Sequence, residues 1–161
     1  MGASQIVICC MTIHYLLEQL PGALRERIIS LTDVIFSSVE SLKKKHLVIS
    51  SSGTVRLGLL QRHVKWEQAR KYFIFPSEAE QKQMHELIYE VKLNRNLLEA
   101  RLFVESLLAK HRVDSFIAGC SEIHLLAKQF APSGQQQRGY GCIDPLTIIA
   151  RQVVEKNKYE A

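Results

Sequence analysis

Residues 115–122 read Ser-Phe-Ile-Ala-Gly-Cys-Ser-Glu (SFIAGCSE), and the apolar stretch from Ile123 to Phe130 follows at once. A short apolar run, a glycine, then a thiol, a hydroxyl and a carboxylate ahead of a helix predict a buried parallel strand ending in a polar turn. The same order occurs twice upstream. Gln5 to Cys10 (QIVICC) is a β-branched run without polar interruption; Thr12 then caps a helix through His14, Leu16, Leu17 and Leu20, stopped by Pro21-Gly22. His46 to Ser50 (HLVIS) runs into the small polar turn Ser51-Ser52-Gly53-Thr54, with a helix expected over about 55–66.

The intervening segments complete the alternation. A helix is expected over about 31–45 after Ser30 or Thr32, with Asp33 in its first turn, and Lys71 to Phe75 (KYFIF) reads as a strand closed by Pro76. Residues 78–89 and 97–111 carry the apolar spacing of amphipathic helices. Residues 132–141 (PSGQQQRGYG) form a loop or linker. Ile143 lies in a short extended stretch, and Asp144-Pro145 opens a closing helix. Strand and helix in regular alternation predict an α/β fold with parallel sheets. In such sheets the reactive groups sit just past the carboxyl ends of strands. Cys10, the 51–54 turn and Cys120 all occupy that place.

Composition narrows the function classes. Hydrophobic residues are 47% and charged residues 23%, ordinary for a globular protein, and the net charge is +5. Lys43, Lys44 and Lys45 form the only tight basic run, at an expected helix end where cations complement the helix dipole, so no nucleic-acid surface is expected. The four cysteines form no CxxC pair and no histidines have zinc-finger spacing, which argues against a structural metal. No secretory signal is evident, and no stretch reaches the roughly 18 apolar residues of a membrane span. Free thiols in a reducing cytoplasm are the expectation.

Inverting an amino acid at Cα removes a weakly acidic proton from one face and returns one to the other, which two acid/base groups on opposite faces do directly. A thiol with a pKa of about 8.5 supplies both protonation forms near neutrality. A helix start just after a thiol favours the thiolate and offers N–H groups to a carboxylate. Cys10 and Cys120 are each followed by Thr or Ser within two residues.

In these residues the chain resembles the cofactor-independent, two-cysteine aspartate/glutamate racemases. That family carries a Cys-Asn-Thr-Ala-His type motif, a Thr-x-Gly-Thr turn and a Gly-Cys-Thr-Glu motif. This chain has Cys10-Met11-Thr12-Ile13-His14, Ser51-Ser52-Gly53-Thr54 and Gly119-Cys120-Ser121-Glu122 in the same order. Pro76, Ile88-Tyr89 and Asp144-Pro145 are later similarities, and Glu122 and His14 look like the aspartate-type or broad-specificity branch. The resemblance implies an amino-acid racemase without pyridoxal phosphate or metal, with Cys10 and Cys120 as the two bases. It also implies that Thr12, Ser51, Ser52, Thr54 and Ser121 hold substrate carboxylates. His14 and Glu122 are candidate modulators: His14 orients substrate or serves packing, and Glu122 tunes the thiol or favours its helix start. Cys9 and Cys142 are expected to be buried small apolar residues, His124 structural, and Trp66 a packing residue.

The fold implied is two Rossmann-like lobes with a cleft between them. A partial first lobe comprises 1–45 and 142–161, and the second comprises 46–141. Two departures accompany the resemblance. Met11 stands where the family often has Asn. Two βα units, each roughly 30 residues, are expected to be missing before Cys10, which makes the first lobe incomplete and the short chain weak or inactive alone. The expected partner is a small-molecule amino acid, with no nucleic acid and no membrane. A homodimer or a partner chain is expected to cover the exposed first lobe. The competing function is a catalytically degenerate binding or interaction module of the same fold.

Overall fold

A computed structural model describes residues 3–130 and 140–159. Strands β1 (Ile6–Val7) and β2 (Ile28–Ile29) pair in parallel as a small sheet. Strands β3 (His46–Ile49), β4 (Phe73–Ile74), β5 (Ser115–Ala118) and β6 (Gly141–Ile143) form a second sheet in the order β4-β3-β5-β6, every pair parallel. The helices are α1 (Gly22–Arg25), α2 (Leu31–Leu42), α3 (Ser52–Arg56), α4 (Trp66–Ala69), α5 (Glu78–Lys92), α6 (Leu97–Lys110), α7 (Ser121–Ala127) and α8 (Pro145–Tyr159).

Every residue of β3 and β5 is buried, because helices cover both faces of the larger sheet. Successive side chains point to opposite faces. Leu47, Ile49, Phe116 and Ala118 join Met84, Ile88 and Val91 of α5, Val104 and Leu108 of α6 and Ile123 of α7 in one core. Val48, Ile117 and Ile143 face the other way and pack with Ile35, Phe36 and Val39 of α2, Phe73 and Ile149 of α8. Because α2, the sheet and α8 share that second core, the lobe boundaries expected at 45/46 and 141/142 do not coincide with a break in packing. β6 extends the sheet built by β3 and β5.

Several elements differ from their sequence-based expectation. Residues 11–19 wind as a 3₁₀ helix, unusually long for that form. The helix expected over 55–66 is cut to α3, because Gly58 adopts φ 59° and the Leu59 N–H closes back on the Thr54 carbonyl. α2 stops at Leu42 because Lys43 turns left-handed at φ 50°. Asn94 and Asn96 take the same conformation (φ 59° and 52°) and fold α5 back against α6. Of the expected 132–141 loop, residues 132–139 lie outside the described residues. Trp66 packs against Phe73 and Phe75, as expected. Cys9 is exposed rather than buried, since β1 ends at Val7 and Cys9 lies beyond it at the edge of an open groove against α7 and α8. Cys142 is half-buried against the core.

One ion cluster clamps α5 to α6. Ser77 caps α5 and Glu80 returns the bond to the Ser77 N–H at 2.6 Å, a reciprocal capping box. Glu80 also meets Lys110 at 2.6 Å and His111 at 3.3 Å. Burial pushes its carboxyl up, but the Lys110, Ser77 and His111 bonds outweigh that and hold it at about 2. A carboxyl depressed from 4.5 to about 2 on folding contributes stability above pH 4.5 that is lost as pH falls toward 2. Glu80→Gln should therefore lower the unfolding free energy at pH 7 by about 1–3 kcal/mol. Denaturant titrations should show that difference shrinking between pH 4.5 and 2; a constant difference across that window would contradict the clamp.

Candidate active site

The site forms where three segments end side by side. Gly119 follows β5, and its N–H donates to the Ile49 carbonyl at 2.8 Å. A Cβ at Gly119 would stand 2.6 Å from the Ser50 Cβ and 3.0 Å from the Ile49 oxygen. Only glycine lets the ends of β3 and β5 approach this closely. Cys120 and the 51–54 turn are thereby neighbours. Ser51 caps α3, its Oγ accepting from the Thr54 N–H. Thr12 brings in the third segment: its hydroxyl lies 3.0 Å from that of Thr54 and 3.4 Å from that of Ser51.

Between them lies a cavity of about 260 Å³ lined by Cys10, Met11, Thr12, Ser51, Gly53, His85, Ile88, Tyr89, Lys92, Cys120, Ser121 and Glu122. The structure thus brings both thiols to one cavity together with Thr12, Ser51, Ser121 and Glu122. It does not bring the others there. Thr54 is buried beneath the turn, and its hydroxyl anchors Thr12. Ser52 directs its N–H at His85 Nδ1, 3.4 Å away. His14 is buried elsewhere, its Nε2 bonding the Ile8 carbonyl at 3.0 Å, so it braces the segment that carries Cys10. His124 pairs with Asp144 at 2.6 Å, and Asp144 also accepts from Thr147 and from the Leu146 N–H at the start of α8, so this histidine ties α7 to α8. His85 and Lys92 escaped the sequence reading, and Tyr89 entered it only as part of the Ile88-Tyr89 similarity. Their spacing along α5, one and two turns apart, puts them on a single helix face.

The two thiols differ in environment. Cys10 is exposed. Burial pushes the Cys120 thiol up to about 12, and the Glu122 carboxylate adds to that rise, while the N–H groups of Ile123 and Glu122 pull it down. Ser121 donates to Glu122 at 3.1 Å. The cavity is therefore lined by a half-buried Cys120, whose thiol burial pushes up, and by an exposed Cys10. Lys92 is the cation of the lining and Glu122 its anion. Among the described residues, no three His, Cys, Asp or Glu side chains converge as a metal site. No helix among them is long and apolar enough to cross a membrane.

A parallel α/β protein with two cysteines from separate chain segments around one small cavity defines a narrow class. The chain belongs to the Asp/Glu/Hydantoin racemase family, whose model matches residues 1–153. Its fold is similar to that of the Picrophilus torridus aspartate racemase, with a TM-score of 0.67 and 21% identity. The match covers 89% of this chain and 58% of that one, so the chain spans well under two thirds of that racemase's length.

Alkylation separates the two thiols. With iodoacetamide at pH 7.5, mass spectrometry should find Cys10 modified at least about tenfold faster than Cys120, because reaction proceeds through the thiolate. Equal rates at the two positions would contradict the environments described.

Proposed function

We propose that the chain is a cofactor-independent amino-acid racemase or epimerase of the aspartate type or of broad specificity, working by proton transfer between Cys10 and Cys120. The observation that carries this reading is that two thiols distant in sequence line one cavity large enough for an amino acid. The Cys10 thiolate takes the Cα proton from one face, and the C–H electron pair passes into the adjoining carboxylate as an enediolate. The protonated Cys120 thiol then gives its proton to the opposite face of Cα. Cys10 ends as thiol and Cys120 as thiolate, the latter met by the N–H groups of Glu122 and Ile123. The inverted product is the mirror image of the substrate, and the reverse reaction exchanges the roles.

Thr12, Ser51 and Ser121 line the same cavity and offer hydroxyl donors to the α-carboxylate, while Lys92 offers a cation to a second carboxylate on an acidic side chain. Glu122 supports recognition of the ammonium group. Both thiols must stay reduced for this chemistry, which suits a cytoplasmic location. A second reading, a catalytically degenerate binding protein, is favoured by one observation. The smaller sheet holds only two two-residue strands among the described residues, beside an open apolar groove lined by Val7, Leu125, Val153 and Val154.

Proton NMR of each enantiomer of aspartate and glutamate in heavy water tests both readings. The wild type should exchange Cα hydrogen for deuterium and build up the opposite enantiomer. Cys10→Ser and Cys120→Ser should each lower the rate by about 10²-fold or more. Lys92→Gln should raise KM for the dicarboxylic substrates more than it lowers kcat. Equal background exchange in wild type and both serine variants would overturn the racemase reading in favour of the binding protein.

A further inference from the structure

We propose that the open groove between β1, α7 and α8 takes an extended apolar segment of another chain, flanked by acidic residues and paired as a third strand on the free edge of β1. The groove spans about 1280 Å³ and shares only Lys92, Ser121 and Glu122 with the thiol cavity. Its first determinant is backbone. β1 pairs with β2 alone. The Ile6 N–H points toward β2, donating to the Arg27 carbonyl at 2.7 Å. Peptide groups alternate from one edge of a strand to the other, so those of Val7 face the edge that no strand occupies among the described residues. Val7 is also the β1 residue that lines the groove. An edge N–H and C=O without a strand partner are a template for a further strand, and an extended backbone is what supplies their partners.

The second determinant is apolar. Leu146, Ile149, Ala150, Val153 and Val154 of α8 recur at the spacing of one helix face, and all of them line the groove. Ile149 is buried in the second core, but Val153 and Val154 are 44% and 56% exposed, and Leu125 of α7 in the same groove is 49% exposed. In an α/β fold such a stripe packs on a sheet, and a sheet of two two-residue strands leaves it uncovered. The rim sets the charge of the occupant. Lys92, Lys128, Arg151 and Lys158 line the groove against Glu122 and Glu155. Among the described residues none of these four cations has an ion-pair partner. A second copy would bring the same excess of cations to this face, whereas acidic flanks are matched by it. An occupant here lies against Lys92, Ser121 and Glu122 and closes that side of the thiol cavity. The docking site stands whether or not the thiols carry out racemisation.

The probe is the peptide Asp-Glu-Val-Thr-Val-Thr-Val-Glu-Asp, blocked at both ends, whose valines share one face of a strand. Isothermal titration measures its affinity, and NMR of the ¹⁵N-labelled protein follows the amides. Binding should move the Val7 amide proton downfield as it gains a hydrogen bond. N-methylation of the valines and N-methylation of the threonines block opposite edges of the peptide. One of these two peptides should bind like the parent, and the other at least about tenfold more weakly. Val153→Asp alone, or Lys128→Glu with Arg151→Glu, all at exposed positions, should weaken the parent peptide by about tenfold or more. Failure of the parent peptide to bind at about 1 mM, or equal binding by the two N-methylated peptides, overturns the proposal. So does a dimer in sedimentation that Val153→Asp dissociates, since a second copy then fills the groove. Each outcome is read without deuterium exchange at Cα, so failure of strand docking is distinct from failure of racemisation.

Discussion

The close approach at Gly119 is the constraint on which the site depends. With no Cβ, its backbone reaches the Ile49 carbonyl at 2.8 Å and lets the ends of β3 and β5 lie against one another. Everything chemical then follows the geometry of those strand ends. β3 delivers the Ser51 turn, β5 delivers Cys120 and Ser121, and α5 crosses above with Lys92. Gln81 of α5 fixes that crossing by donating to the Ser50 carbonyl at 2.8 Å. A methyl group at residue 119 would collide with Ser50 and drive the two polar turns apart.

Cys10 reaches the same place by a different kind of attachment. Its strand belongs to the smaller sheet, which makes only two residue pairs. The segment is held instead by Met11, buried in the second core, by hydroxyl contacts from Thr12 to Thr54 and Ser51, and by the His14 bond to Ile8. One thiol thus sits on a rigid sheet end and the other on a polar tether. Their environments differ accordingly: Cys120 is half-buried and burial pushes its thiol up, whereas Cys10 is open to solvent. Proton transfer between two groups needs one in each protonation form at a time, and the proposed first transfer to Cys10 rests on this asymmetry.

Much of this was legible in the chain. Uninterrupted apolar runs such as HLVIS and SFIA identified the central strands because both faces of the sheet are covered, and the polar residues after each run marked the strand ends. The helices expected over 78–89 and 97–111 followed from apolar period, and the structure has them at 78–92 and 97–110. What was hidden depended on tertiary placement. Thr54 and Thr12 are the same residue type near a strand end, yet one is buried as an anchor and the other lines the cavity. His14 lies one turn beyond the thiol motif, but its ring turns to Ile8. His85 and Lys92 drew no reading, because the helix period does not say what α5 packs over; the fold sets it beside the cavity. The shortened helix at 52–56 turned on one left-handed glycine, Gly58, within a run that otherwise favours helix.

The central claim is that the sulfurs of Cys10 and Cys120 flank one small space. A short bis-electrophile such as dibromobimane, applied to the native protein and followed by proteolysis and peptide mapping, measures this directly. The account predicts a bridged product that joins the Cys10 peptide to the Cys120 peptide and vanishes when either residue is serine. Products confined to Cys9 and Cys10, with Cys120 unlinked even at high pH where its thiol ionises, would contradict it.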